Sequence, residues 1–182
     1  MNMRKVKAIL IGAMFGLGLV GLTFAASSTS TQTVAMQVNA ICVAAVTGNP
    51  STLTVTAPTT GGQTPVSVTS ATTYVQYTST VASGTARKIT AKWETGDAAP
   101  AGCALKLQAT PAGGTNQGST AGQITMTSTA QDIVTTIRSC ATGSGGTFGA
   151  QLSYALDVSD ATALVAAESK TATISLTLTD AT

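Results

Sequence analysis

The sequence predicts an all-β protein built as an antiparallel β-sandwich, with a jelly roll as the alternative. Apolar and polar residues alternate one by one in several segments, and threonine, a β-branched residue that favours strands, is abundant. Clusters rich in Gly, Pro and Asn separate these segments, as turns between strands do. Alternation lets one face of each strand become buried while the other stays in water.

Each alternating segment is interpreted as one strand, and the clearest is the C-terminal one, where Ile174, Leu176 and Leu178 alternate with hydroxyl residues. Only residues 160–168 look helical, as one or two turns on a connection. In chain order, the predicted strands cover residues 34–40, 53–57, 73–80, 87–94, 105–109, 123–127, 132–138, 151–158 and 171–179.

The in-phase apolar residues of these strands are predicted to form one core. This core comprises Ile89, Trp93, Leu105, Leu107, Leu152, Tyr154, Leu156, Ile174, Leu176 and Leu178.

Residues 1–25 have the pattern of an export signal. Arg4, Lys5 and Lys7 precede an apolar run over 8–22, and small residues follow at Ala25 and Ala26. The pattern predicts cleavage after Ala25, export to the periplasm or cell surface, and one mature domain over 26–182. An uncleaved anchor is the alternative, but the run is shorter than the about 20 residues of a membrane span.

Removal of this signal changes the charge balance. Three of the nine Lys and Arg residues lie in it, which leaves six against seven Asp and Glu, a net charge of −1. No basic patch remains to bind phosphates, so nucleic acid is not expected as a partner. There is also no second apolar run, so no membrane span is expected after cleavage.

Composition restricts the chemistry. The chain has no histidine, which excludes a Ser-His-Asp triad, a Cys-His nucleophile and the usual zinc ligand sets. Asp157 and Asp160 lie close together and could bind calcium with backbone carbonyls, but a strand end followed by an Asp that starts a helical turn is the favoured interpretation. We therefore predict no enzyme, no catalytic residue, no metal and no cofactor.

A sugar-binding surface needs exposed aromatic rings, so the exposure expected for each aromatic residue matters. Trp93 and Tyr154 alternate in phase with apolar neighbours, so they are predicted to be core residues. Tyr74 and Tyr77 are three residues apart, so they point to opposite faces of a strand and at least one can be exposed.

The mature chain has an odd number of cysteines, Cys42, Cys103 and Cys140, and export permits a disulfide. Cys103 and Cys140 lie at predicted strand ends beside loops, so their pairing is favoured. Cys42 lies within an alternating segment and is expected to remain a buried thiol. Cys42 bonded to either partner, or no bond at all, are the alternatives.

The segment Val38-Asn39-Ala40-Ile41-Cys42-Val43 resembles the first strand of chaperone–usher pilins, in which an alternating run leads into an Ala-x-Cys-like pattern soon after the signal. The short, exported, Thr-, Ala-, Gly- and Ser-rich chain that ends in an alternating strand is similar in outline. The resemblance implies an incomplete immunoglobulin-like sandwich. It also implies that the N-terminal extension of one subunit completes the sheet of the next.

Residues 26–42 suit strand donation, with a polar leader followed by alternating Val34, Met36 and Val38. The alternative is an ordinary first strand paired within its own domain. We predict a structural subunit of a cell-surface filament or fimbria, whose partners are copies of itself or related subunits and an export chaperone. The alternative function is a monomeric secreted adhesin or carbohydrate-binding module with a glycan ligand.

Overall fold

The computed structural model describes residues 31–181. The chain divides into two units, Met1–Met36 and Gln37–Thr182, and each is described by itself. In the first unit, the described residues 31–36 form no helix or strand. The predicted export signal lies outside the described residues. Within those residues, no helix is long and apolar enough to cross a membrane.

The second unit is an antiparallel β-sandwich, which confirms the predicted fold class. One sheet has the order β1-β2-β9-β4-β6, with β8 also paired to β2, and the other has the order β10-β3-β7-β5. The strands are β1 (Ile41–Thr47), β2 (Val68–Thr80), β3 (Arg87–Trp93), β4 (Cys103–Thr110), β5 (Ser119–Thr120), β6 (Gln123–Thr125), β7 (Gln131–Ile137), β8 (Cys140–Ala141), β9 (Ala150–Val158) and β10 (Ile174–Asp180).

The strand order is that of an immunoglobulin-like domain. Immunoglobulin strands A, B, E and D form one sheet, and C, F and G form the other. Here β1-β2-β9-β4 occupy the A-B-E-D positions, and β10-β3 occupy F and C. Among residues 31–181, no strand occupies the G position beside β10, so the second sheet ends at the C-terminal strand.

Two of the predicted strands do not form. Residues 34–40 form no strand, and the first strand begins at Ile41 instead. Residues 53–57 contribute only an isolated bridge from Thr56 to Val66. The prediction missed most of the strand Ile41–Thr47, because its sequence is apolar at nearly every position and lacks the alternation of a half-buried strand.

Nine of the ten predicted core residues belong to one hydrophobic cluster or pack against it, and Leu156 is buried outside that cluster. Ile89, Leu107, Leu152, Tyr154 and Leu156 are buried. The other five predicted residues are partly buried and pack against the core cluster: Trp93, Leu105, Ile174, Leu176 and Leu178. The core also takes in residues that the prediction did not name, namely Val75, Tyr77, Met126, Ile133, Val134 and Ile137.

Candidate functional site

The inner face of β1 is the first wall of a groove. Val46 lies opposite Val75 in the β1–β2 pair, Ala44 lies opposite Tyr77, and Val75 and Tyr77 are buried in the core. Directly opposed residues of paired strands point to the same face of a sheet. Val46 nevertheless remains 51% exposed. The inner face of β1 is therefore turned toward the core without being covered.

The second wall is β10, the C-terminal strand. Ile174, Leu176 and Leu178 are in phase along it and pack against the core, but all three are only partly buried. On the neighbouring strand β3, Ile89 and Ala91 occupy equivalent inward positions and are fully buried. We call the space between the inner faces of β1 and β10 the edge groove. It is lined by Cys42, Ala44, Val46, Ile174, Leu176 and Leu178.

Both strands of the edge groove are sheet edges. β1 pairs only with β2, and β10 pairs only with β3, among the strands of residues 31–181. Each strand therefore presents a row of backbone N–H and C=O groups on the side away from its partner. Such an edge is a template for another strand. An apolar groove between two free edges offers both hydrogen-bonding groups and apolar surface to a strand placed there.

One end of the edge groove is polar. Arg87, at the start of β3, is buried, and its Nε donates to Asp180 Oδ1 at 2.9 Å. Its Nη1 donates to the Ile41 carbonyl and, at 3.4 Å, to Ser79 Oγ. The guanidinium group thus connects β1, β2 and β10. Sequence reasoning missed Arg87, although it is in phase with the inward-facing Ile89.

The predicted assembly residues lie on a segment without regular structure. Val34, Met36 and Val38 are exposed by 64%, 89% and 81%. None belongs to a strand or helix. The alternative, an ordinary strand paired within its own domain, therefore describes Ile41–Thr47 and not these three residues.

The predicted disulfide between Cys103 and Cys140 is absent from the structure. Cys42, Cys103 and Cys140 are all free. Cys140 pairs with Ser79 near one end of β2. Cys103 pairs with Val158 of β9, two residues past Leu156, which pairs with Val68 at the other end of β2. At about 3.3 Å per strand residue, these ends are roughly 30 Å apart, while a disulfide requires Cα atoms within about 7 Å. The intervening length of β2 was not visible in the sequence pattern.

The prediction that Cys42 is a buried thiol is also wrong, because Cys42 is exposed. It lies on the uncovered inner face of β1, opposite Ser79, and its thiol donates to the Leu178 carbonyl at 3.5 Å. Cys140 is opposite Ser79 on the other side of β2. Two strand spacings, about 9.5 Å, separate the two cysteines, which is too far for a disulfide.

The two candidate calcium-binding carboxylates have structural partners. Asp157 forms an ion pair with Lys106 of the neighbouring strand. Asp160 caps the short 3-10 turn Ala161–Ala163, and its carboxylate accepts from the Thr162 N–H at 2.9 Å and from the Thr162 hydroxyl. These hydrogen bonds lower the pKa of Asp160. This is the predicted arrangement of a strand end followed by an Asp that begins a turn.

The aromatic residues are distributed over both faces. Tyr77 is buried in the core, whereas Tyr74 lies on the outer face and is half-buried, as the spacing predicted. Trp93 packs against the core, although it is only partly buried. Phe148, in the loop after β8, is 55% exposed.

Comparison with known proteins adds no relative. Neither a scan against protein-family models nor searches of curated proteins and of solved structures gave a match to this chain.

Proposed function

We propose that this protein is an exported, non-enzymatic structural subunit of a cell-surface filament, and that it assembles when a strand of one copy enters the edge groove of the next. The observation that carries the proposal is that no strand of residues 31–181 pairs with the outer edge of β10, where Leu176 and Leu178 are only partly buried. A strand placed there would supply a G strand and cover these side chains.

The donated strand is proposed to come from residues 26–40, the part of the predicted donor segment 26–42 that precedes β1. The segment contains no charged residue, so it can enter an apolar groove without the desolvation penalty of a charge. Val34, Met36 and Val38 repeat every two residues, as do Ile174, Leu176 and Leu178. Two extended strands with this common period can place successive apolar side chains at matching intervals.

The exposure of the donor residues supports assembly between copies. Met36 and Val38 are among the most exposed large apolar side chains of the described residues, at 89% and 81%. Burying each of them in a partner would contribute roughly 1.5–3 kcal/mol. The near-neutral mature chain adds little like-charge repulsion between many copies. Export, an export chaperone and related subunits as partners remain parts of the same proposal.

A substitution in the donor segment tests this function. Val38→Asp would place a charge in the apolar groove and should abolish polymers while leaving secretion and the fold intact. Asn39→Asp is the matched control, because residue 39 would face the opposite side of an inserted strand and its charge would stay in water. Size-exclusion chromatography and negative-stain imaging of the purified proteins measure the outcome.

The proposal requires polymers from the wild type and from Asn39→Asp, and monomers from Val38→Asp. Polymers of equal length from Val38→Asp would contradict it. A wild type that stays monomeric and binds a glycan would favour the alternative function, a secreted adhesin or carbohydrate-binding module.

A further inference from the structure

We infer that Arg87, Asp180, Cys42 and the Leu178 carbonyl form a latch that closes one end of the edge groove in the free subunit and must open when a strand enters. The inference rests on the proposed function, because it concerns the same groove. It adds a conformational step that controls how fast the groove accepts its occupant.

In the free subunit, β1 and β10 lie too close together at one end for a strand to fit between them. Adjacent strands of a sheet lie about 4.7–4.9 Å apart. A strand inserted between β1 and β10 therefore needs roughly twice that separation between the two backbones. The Cys42 Sγ atom is already 3.5 Å from the Leu178 oxygen, so no strand can pass between these residues. The same oxygen, on the edge of β10, is occupied by the thiol.

Arg87 holds β1 and β10 together at this end of the edge groove. Its guanidinium donates to the Ile41 carbonyl of β1 and to the Asp180 carboxylate of β10 at 2.9 Å, so one side chain connects both edges. Because the Arg87 side chain is only 9% exposed, its charge depends on these partners. If β1 and β10 move apart, Arg87 must lose its hydrogen bond to the Ile41 carbonyl or its contact with Asp180.

The latch acts at one end only. Val46, four residues after Cys42 on the same inner face, is 51% exposed. Asp180 is itself 81% exposed, so water can replace the carboxylate contact without disturbing the core. An incoming strand can therefore occupy the uncovered end first and then displace the latch. A free subunit would accept strands slowly, which limits premature assembly.

Asp180→Asn tests the latch with little risk to folding, because the amide oxygen still accepts from Arg87 while the charge is lost. The matched control is Asp132→Asn, which removes the partner of Lys88 at 3.2 Å on β7, away from the groove. The assay uses the full mature chain and a fluorescent peptide of residues 26–40, with binding followed by anisotropy.

The expected result is peptide insertion about two- to fivefold faster in Asp180→Asn than in the wild type, with Asp132→Asn unchanged. Raising the salt concentration should accelerate the wild type and leave Asp180→Asn nearly unaffected, because the ions screen the Arg87–Asp180 pair. Equal rates in wild type and Asp180→Asn, or equal acceleration by both variants, would overturn the latch.

These outcomes are separate from a failure of the proposed function. Peptide that inserts at the same rate in all three proteins removes the latch and leaves strand donation standing. A peptide that binds to none of the proteins, together with a wild type that forms no polymers, removes the proposed function and the latch with it.

Discussion

Val46 and Val75 lie directly opposite each other in the β1–β2 pair and point to the same face, yet Val75 is fully buried and Val46 is 51% exposed. The two valines are neighbours on one face of the same sheet. Their exposure differs because the second sheet covers Val75 and does not cover Val46. This difference marks where the core of the subunit ends and the edge groove begins.

A pair of alanine substitutions measures this difference. Val75→Ala should lower the free energy of unfolding by about 1.5–3 kcal/mol, because it removes buried methyl groups. Val46→Ala should lower it by less than about 0.5 kcal/mol in the free subunit. Urea unfolding of monomeric protein gives both values. Equal losses would show that the inner face of β1 is already covered.

Gly149 is predicted to be intolerant of any side chain. It has a φ of +100°, and an added Cβ would lie 2.2 Å from the Val75 carbonyl oxygen. Gly145 has a similar φ of +87° but an open environment, so it is the matched control. Gly145→Ala should cost about 1–2 kcal/mol through its backbone alone. Gly149→Ala should cost at least about 2 kcal/mol more. If the two variants unfold at the same urea concentration, the close contact is wrong.

The three thiols should differ in reactivity. Burial raises the pKa of Cys140 and of Cys103, the latter helped by Glu168, so both should hold less thiolate at neutral pH than an ordinary thiol and be alkylated slowly. Cys42 is exposed and should react first. Timed alkylation followed by peptide mapping gives the order. A disulfide-linked peptide containing Cys103 and Cys140 would contradict the fold.

Alkaline pH should destabilise the protein through Tyr77. Burial raises the pKa of Tyr77 above the ordinary 10.0, and its hydroxyl donates to the Gln117 carbonyl. Above pH 10 the unfolded chain therefore loses this proton while the folded chain keeps it, so the free energy of unfolding falls as pH rises.

Tyr77→Phe tests the assignment of this pH dependence. The variant should lose about 1 kcal/mol at neutral pH, because the hydrogen bond is removed, and should show a shallower decline above pH 10. Urea unfolding at pH 8 to 11 gives both quantities. An unchanged slope in the variant would assign the alkaline effect to other groups.

Alternation predicted the half-buried strands. It did not predict the strands whose sequences depart from strict alternation. Residues 171–179 alternate strictly, and β10 forms there. β1 is apolar on both faces, so its pattern resembles neither a strand with one wet face nor a turn. In β7, Ile133 and Val134 are both buried, and Thr136 has a φ of +56°. Such a bulge breaks the two-residue period locally.

The candidate site was predictable only in its parts. The period of Val34, Met36 and Val38 and the apolar residues of β10 are visible in the sequence. Their relation depends on which strands form the sheet edges, and this is a property of long-range pairing. The same reason explains the error with Cys103 and Cys140, because long-range pairing places Cys140 opposite Ser79 of β2 and Cys103 opposite Val158 of β9, toward opposite ends of the sheet.

The most direct test of the central claim is hydrogen–deuterium exchange of β10 in monomers and in assembled protein. In the monomer, amides of Ile174–Asp180 that point away from β3 should exchange rapidly, because no strand within residues 31–181 pairs with that edge. In polymers, the inserted strand should slow the exchange of these amides by at least about a hundredfold. Rapid exchange of the same amides in polymers, with new protection only at other surfaces, would contradict assembly through the edge groove.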